Sequence, residues 1–229
     1  MRPTSLPKLL LSLGPLFPIL FVVGFAAFPA PAHSDRSAAS DPAFLAAHTG
    51  AVITQAYLRC FAALTFFALA LGVALVLCRC SRAFTATLVA AGGAGTAVLM
   101  LVAQATQLAA AFAQRDHVSA GVIQLCDSLD EAALAVSSLP AVFLFGGAAY
   151  GLGPSRSRWL RGFCWAGVPL ALIDALGYDG GPLAAVSVLG LVYFLLWGLA
   201  APVALLRHNA PTSPMPGNNY QQDALAGQS

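Results

Sequence analysis

The chain has 229 residues, 59% of them hydrophobic and only 9% charged, with a formal net charge of +2 at pH 7. An ordinary soluble domain carries about a quarter charged residues, so this composition excludes a water-soluble globule. The small net charge and the lack of a basic patch exclude nucleic acid as a partner.

Crossing a hydrocarbon core of about 30 Å takes about 20 residues at 1.5 Å rise per residue. Six stretches meet that length, and none shows the short polar-apolar alternation of a membrane β-barrel. The first helix is expected over residues 9–31. Arg2 and Lys8 ahead of it and Ala30-Pro31-Ala32 behind it also fit a secretory signal. The apolar stretch from Leu9 to Phe28 exceeds a signal core, however, and Pro29 and Pro31 crowd the cleavage site, so the segment is expected to be retained. Pro15 and Pro18 should bend it. His33 to Asp41 reads as a short external loop. Asp41-Pro42 then offers a cap and a first-turn proline, so the second helix, 51–78, is expected to start well outside the membrane, near Pro42.

The third helix, 83–113, contains Gly92-Gly93-Ala94-Gly95, small residues that permit close helix packing. The fourth is expected over 130–153. The fifth, 159–178, carries Arg161 and Asp174 near its two ends, and the sixth spans 182–206. Residues 208–229, rich in Pro, Asn and Gln without apolar periodicity, read as a disordered cytoplasmic tail. The fold class is therefore all-α: a polytopic membrane bundle of six transmembrane helices in one domain, residues 1–207.

Basic residues sort by loop parity. Arg2, Lys8, Arg79, Arg82, Arg156, Arg158, Arg161 and Arg207 fall on one side of the six-helix arrangement, against Arg36 and Arg115 in loops on the other. The bias of Lys and Arg towards the cytoplasm puts both termini inside the cytoplasmic membrane. Acidic residues, Asp35, Asp41, Asp116, Asp127, Asp130, Glu131 and Asp179, gather towards the outer side.

Polar side chains within spans are costly, about 2.5–3.5 kcal/mol for a charge at a helix centre. Here they share one leaflet: Gln55 and Arg59 on the second helix, Gln104 and Gln107 on the third, Asp127, Asp130 and Glu131 on one face of the fourth, and Asp174 on the fifth. Two readings follow. In one, Arg59 pairs with Asp130, Glu131 or Asp174 and the glutamines bridge helices as a structural clamp. In the other, these eight residues line a ligand pocket open to the outer side. One arginine cannot neutralise four carboxylates, which keeps the second reading open. Either way the Arg59 guanidinium is expected within hydrogen-bond reach of one of those carboxylates.

His33, His48 and His117 lack ligand spacing, so no metal is expected, and no cofactor motif is present. Cys60, Cys78, Cys80, Cys126 and Cys164 form neither a CxxC pair nor a zinc pattern, and no disulfide is expected. Three function classes remain. The first is a non-enzymatic module that binds membrane lipid, a lipophilic small molecule or a partner helix. The second is an acid-catalysed enzyme on an isoprenoid or lipid, of terpene-cyclase type, with Asp130, Glu131 or Asp174 as the acid; its Phe and Trp are spread without a visible cage. The third is a small transporter acting as a homo-oligomer, for which no inverted repeat is evident.

Ser40 to Ala51 leading into Gln55-Ala56-Tyr57-Leu58 resembles the entry to the second helix in a large family of uncharacterised bacterial integral membrane proteins. Leu125-Cys126-Asp127-Ser128-Leu129 with Leu139-Pro140-Ala141-Val142-Phe143-Leu144, and Arg158-Trp159-Leu160-Arg161-Gly162-Phe163, look similar to it too. The likeness covers most of residues 10 to 207. It implies six helices and no assigned activity, and it supplies no catalytic residues.

Overall fold

The computed structural model describes residues 5–26, 42–152, 158–177 and 184–208. The Ala30-Pro31-Ala32 site, the loop bearing Asp35 and Arg36, Arg2, Arg156, Asp179 and the tail beyond His208 lie outside the described residues. The described elements are helices: α1 (Ser5–Ser12), α2 (Leu16–Ala26), α3 (Pro42–Cys78), α4 (Ala83–Arg115), α5 (Ala120–Gly151), α6 (Arg158–Gly177) and α7 (Ala184–His208). Taken together, α1 and α2 make one apolar segment, and the structure has six segments long and apolar enough to cross a membrane.

The first segment is broken, not merely bent. Pro15 has no N–H to donate one turn back, and the chain passes instead through tight turns in which Gly14 N–H donates to Leu11 O (3.0 Å) and Leu16 N–H to Leu13 O (3.0 Å). Pro18 falls in the first turn of α2, where a missing N–H costs nothing. The turn is also a packing point, since a Cβ on Gly14 would come within 2.6 Å of Pro202 Cγ on α7.

Successive helices pack as antiparallel neighbours from α3 to α7, and α1 and α2 lie on α3 and α7 to close the bundle. Small residues set how close the backbones come. A Cβ on Gly92 would overlap the Leu144 backbone, one on Gly93 would overlap Ala70, and one on Gly147 would sit 3.0 Å from Leu88 Cβ. The glycine run of α4 thus serves the close packing expected of it.

Aromatic residues that look scattered along the sequence converge in the core. Phe66 packs on Phe17 (5.1 Å between centroids), and Phe145 packs on Tyr193 (5.2 Å), Phe194 (5.1 Å) and Trp197 (5.5 Å). Phe66, Phe145 and Trp197 are fully buried, so the cluster is a packed centre filled by its own side chains.

The outer surface is apolar where a soluble bundle would be polar. On α3, Tyr57, Phe61, Leu64 and Phe67 form one exposed stripe at helical spacing; on α5, Leu125, Leu129, Val136, Leu139 and Phe143 do the same, with Phe143 58% exposed. Asp127, Asp130 and Glu131 lie on the opposite, partly covered face of α5. Aliphatics outside and carboxylates inside are the reverse of an amphipathic helix in water.

The charges divide between the two ends. Gly151 meets Leu77 and Thr85, Gly72 meets Leu10 and Leu11, and Gly198 meets Phe17. Those contacts bring the start of α1, the end of α3, the start of α4, the end of α5, the start of α6 and the end of α7 to one end. Lys8, Arg79, Arg82, Arg158, Arg161 and Arg207 belong to it. The acids lie at the other end, where Arg115 Nε meets Asp116 Oδ1 at 3.2 Å on the surface.

Candidate functional site

At the acidic end, α3, α4 and α5 pack through Leu45, Val52, Ala110, Ala111 and Ile123. α5 begins at Ala120, ten residues before the expected start at 130, after a short turn in which His117 adopts φ 56°. Asp127, Asp130 and Glu131 therefore lie well inside a helix and not at its tip. Their three- and four-residue spacing aims them inward together.

The register at mid-bundle carries into this end. Gly93 lies against Ala70 and Gly92 against Leu144; one residue for one along antiparallel neighbours, this sets Arg59 level with Gln104, and Gln104 level with Ala132, within about 3 Å of rise of Asp130 and Glu131. Gln55 lies one turn from Arg59 on the same face of α3, and Gln107 one turn from Gln104 on α4. Gln55 is 7% and Gln104 2% exposed; Arg59, Gln107, Asp127, Asp130 and Glu131 are half-buried. The charges of Arg59, Asp127 and Glu131 all act on Asp130, which places the four ionisable groups in one electrostatic neighbourhood.

Arg59 has aromatic neighbours that sequence reasoning missed. Its guanidinium carbon lies 5.3 Å from the centroid of Phe25 and 6.0 Å from that of Phe21, both on α2. Cation–π contacts of this kind contribute about 0.5–2 kcal/mol, depending on desolvation. Gly24 of α2 packs beside the same arginine, where an added Cβ would make an ordinary contact, 3.5 Å, with Arg59 Cγ. The spacing of Phe21 and Phe25, one turn apart on the helix preceding a buried arginine, was the available signal.

Asp174 lies elsewhere. It accepts a hydrogen bond from Ser138 Oγ across the α5–α6 contact, and Gly190 of α7 leaves it room: a Cβ there would fall 3.0 Å from Asp174 Cβ. Ser138, 4% exposed, was not foreseen. It stands eight residues beyond Asp130 along α5, about 12 Å. The eight sequence-selected residues thus divide into a seven-residue group on α3, α4 and α5, and a separate three-helix junction around Asp174.

No family model, curated protein or solved structure matches the chain.

The seven-residue group carries a pattern of unmet hydrogen bonding. Gln104 Oε1, Gln107 Oε1 and Asp130 Oδ1 are buried and accept no hydrogen bond from the protein. Each is an acceptor, and a buried acceptor left without a donor costs about 1–3 kcal/mol. A separate surface hollow of about 450 Å³ lies at the basic end, lined by Cys80, Ser81, Arg82, Ala83, Phe84, Thr85 and Tyr150. None of the five cysteines forms a disulfide, and among the described residues no group of three or more His, Cys, Asp or Glu is placed to hold a metal ion.

Proposed function

We propose that this chain is a multi-pass protein of the cytoplasmic membrane, with both termini inside, that binds the polar head of an amphiphile among Gln55, Arg59, Gln104, Gln107, Asp127, Asp130 and Glu131. The observation that carries the reading is the set of three buried acceptors without donors on two adjacent helices. Packing alone gives no reason for three such atoms at one level, whereas a ligand that supplies donors offsets their desolvation together.

Depth supports the same reading. From the basic end, Arg59 lies about 30 Å along α3, Gln104 about 30 Å along α4 and Asp130 about 30 Å along α5, the thickness of a hydrocarbon core. If the basic residues mark the inner interface, the group sits at the headgroup level of the outer leaflet. The remaining ends of α3, α4 and α5 then project past it. A site at that depth meets a headgroup with its tail still in lipid, which is why an amphiphile fits better than a water-soluble solute.

Native mass spectrometry of the gently extracted protein tests this. The wild type should retain a lipid or other amphiphile through detergent exchange, and Gln104→Leu combined with Asp130→Ala should lose it while keeping the bundle's helical circular dichroism. Retention of nothing by a folded wild type would overturn the proposal.

A further inference from the structure

Resting on that reading, we infer that the head recognised by this site is a primary ammonium: the ligand is an aminophospholipid of the bilayer or a free lipophilic amine. Three oxygens of the group, Gln104 Oε1, Gln107 Oε1 and Asp130 Oδ1, are buried acceptors that receive no hydrogen bond from the protein. A glutamine amide can rotate to present its NH₂ instead, whereas Asp130 accepts through both oxygens in its ionised form, the form that a bound ammonium favours. An ammonium carries three N–H donors on one atom and matches three converging acceptors. A phosphate, a carboxylate or a carbonyl head would bring more acceptors to a place that already has too many.

Charge points the same way. Asp127, Asp130 and Glu131 face inward from α5 within each other's electrostatic range, and Arg59 is the one cation acting on Asp130 among the groups that do so. Three carboxyl groups against one guanidinium leave the neighbourhood with more acids than its own cation can pair, and a bound cation would favour their ionised forms. The guanidinium carbon also lies 5.3 Å from the Phe25 ring centroid and 6.0 Å from that of Phe21 on α2. Gln104 contributes the strongest single demand, since at 2% exposure its side chain has no route to solvent. The quaternary head of a choline lipid has positive charge without donors, and a glycerol head has donors without positive charge, so these two controls separate the two parts of the recognition.

The experiment uses full-length protein in lipid nanodiscs and detergent, read by native mass spectrometry against four amphiphiles: phosphatidylethanolamine, phosphatidylcholine, phosphatidylglycerol and dodecylamine, with dodecanol as the neutral control. Phosphatidylethanolamine or dodecylamine should be retained at least about 10-fold over phosphatidylcholine, phosphatidylglycerol and dodecanol. Asp130→Asn should reduce that preference about 10-fold or more, and Gln104→Leu should reduce retention of the same ligand. Preference for phosphatidylethanolamine with indifference to dodecylamine assigns the bilayer lipid, and the converse assigns a free amine. Equal retention of phosphatidylcholine or phosphatidylglycerol, unchanged by Asp130→Asn, overturns the ammonium assignment while leaving amphiphile binding in place. Retention of none of them, or of any other amphiphile, removes the proposed function with it. Because Asp130→Asn keeps the side-chain shape, and its thermal unfolding without ligand reports whether the bundle still folds, a loss of binding without a loss of the unfolding transition is read as the site. If Asp130→Asn does not fold, Gln107→Leu, from the half-buried edge of the same group, carries the comparison on the same criterion.

Discussion

Ser138 and Asp174 illustrate how a carboxylate within an apolar bundle is accommodated by a neighbour, and the Asp130 neighbourhood contrasts with it. Asp174 receives the Ser138 hydroxyl across α5 and α6, with Gly190 opposite, and so works as the interhelical clamp that polar residues commonly provide in membranes. Ser138→Ala should destabilise the bundle by about 1–3 kcal/mol, because it leaves the acid without its donor. A double-mutant cycle with Asp174→Asn, followed by thermal unfolding in detergent, should give a coupling of about 0.5–2 kcal/mol; additive losses would show that the contact is not energetically used. At Arg59, Arg59→Met removes the charge that acts on Asp130 and the cation stacked on Phe25 and Phe21, whereas Arg59→Lys keeps a charge but not the planar stacking. The melting temperature should fall in the order wild type, Lys, Met, and Phe25→Leu should narrow the gap between wild type and the Lys variant. Gln55, Arg59, Gln104 and Asp130 were legible as a group because each is conspicuous in an apolar helix and the depths can be counted. Ser138 was not, since serine is unremarkable in a membrane helix until the side chain that needs it is in place.

At the scale of the helices, glycine separates packing from propensity. Gly92 and Gly93 of α4 face α5 and α3 at distances with no room for a Cβ, while Gly162 of α6 and Gly50 of α3 have nothing within 4 Å of an added Cβ. Gly92→Ala should therefore destabilise by about 1–3 kcal/mol through overpacking. Gly162→Ala should stabilise by about 0.4–1 kcal/mol, because the same methyl group only restricts the unfolded chain there. Thermal unfolding of the two variants should shift in opposite directions; shifts of the same sign would show that helix propensity, not the α4–α5 contact, governs both. Long charge-free runs made the helices easy to read, and Asp41-Pro42 marked the entry to α3. The early start of α5 was obscured because Asp127, Asp130 and Glu131 read as the outer opening of the helix, although Ile123, one turn before Asp127, already keeps the helical spacing. The break between α1 and α2 was half legible: Pro15 announced a disturbance, but whether the helix bends or stops depends on Gly14 meeting Pro202 of α7, a contact between distant parts of the chain.

For the whole molecule, orientation is the property on which the site's meaning depends. The positive residues Lys8, Arg79, Arg82, Arg158, Arg161 and Arg207 share one end of the bundle, and lysines and arginines near spans are retained on the cytoplasmic side. Arg115, the cation of the opposite end nearest the α4–α5 turn, is paired with Asp116 and so presents less net charge there. Two exposed positions report the two ends directly: Cys78 at the end of α3, and His117 in the turn between α4 and α5. With all other cysteines replaced, Cys78 should react with a membrane-impermeant maleimide only after the membrane is permeabilised, whereas His117→Cys, as the sole cysteine, should react in intact cells. The reverse pattern would leave the helix packing untouched but turn the bundle over. It would put Arg59, Gln104 and Asp130 at the inner headgroup level, where the ligand would have to come from the cytoplasmic leaflet. Labelling of both positions from one side would be incompatible with an α3–α4 hairpin and its continuation into α5 spanning the membrane, since the two turns lie at opposite ends of helices each long enough to cross it. The topology is thus testable independently of the ligand, and it decides which leaflet the site can draw from.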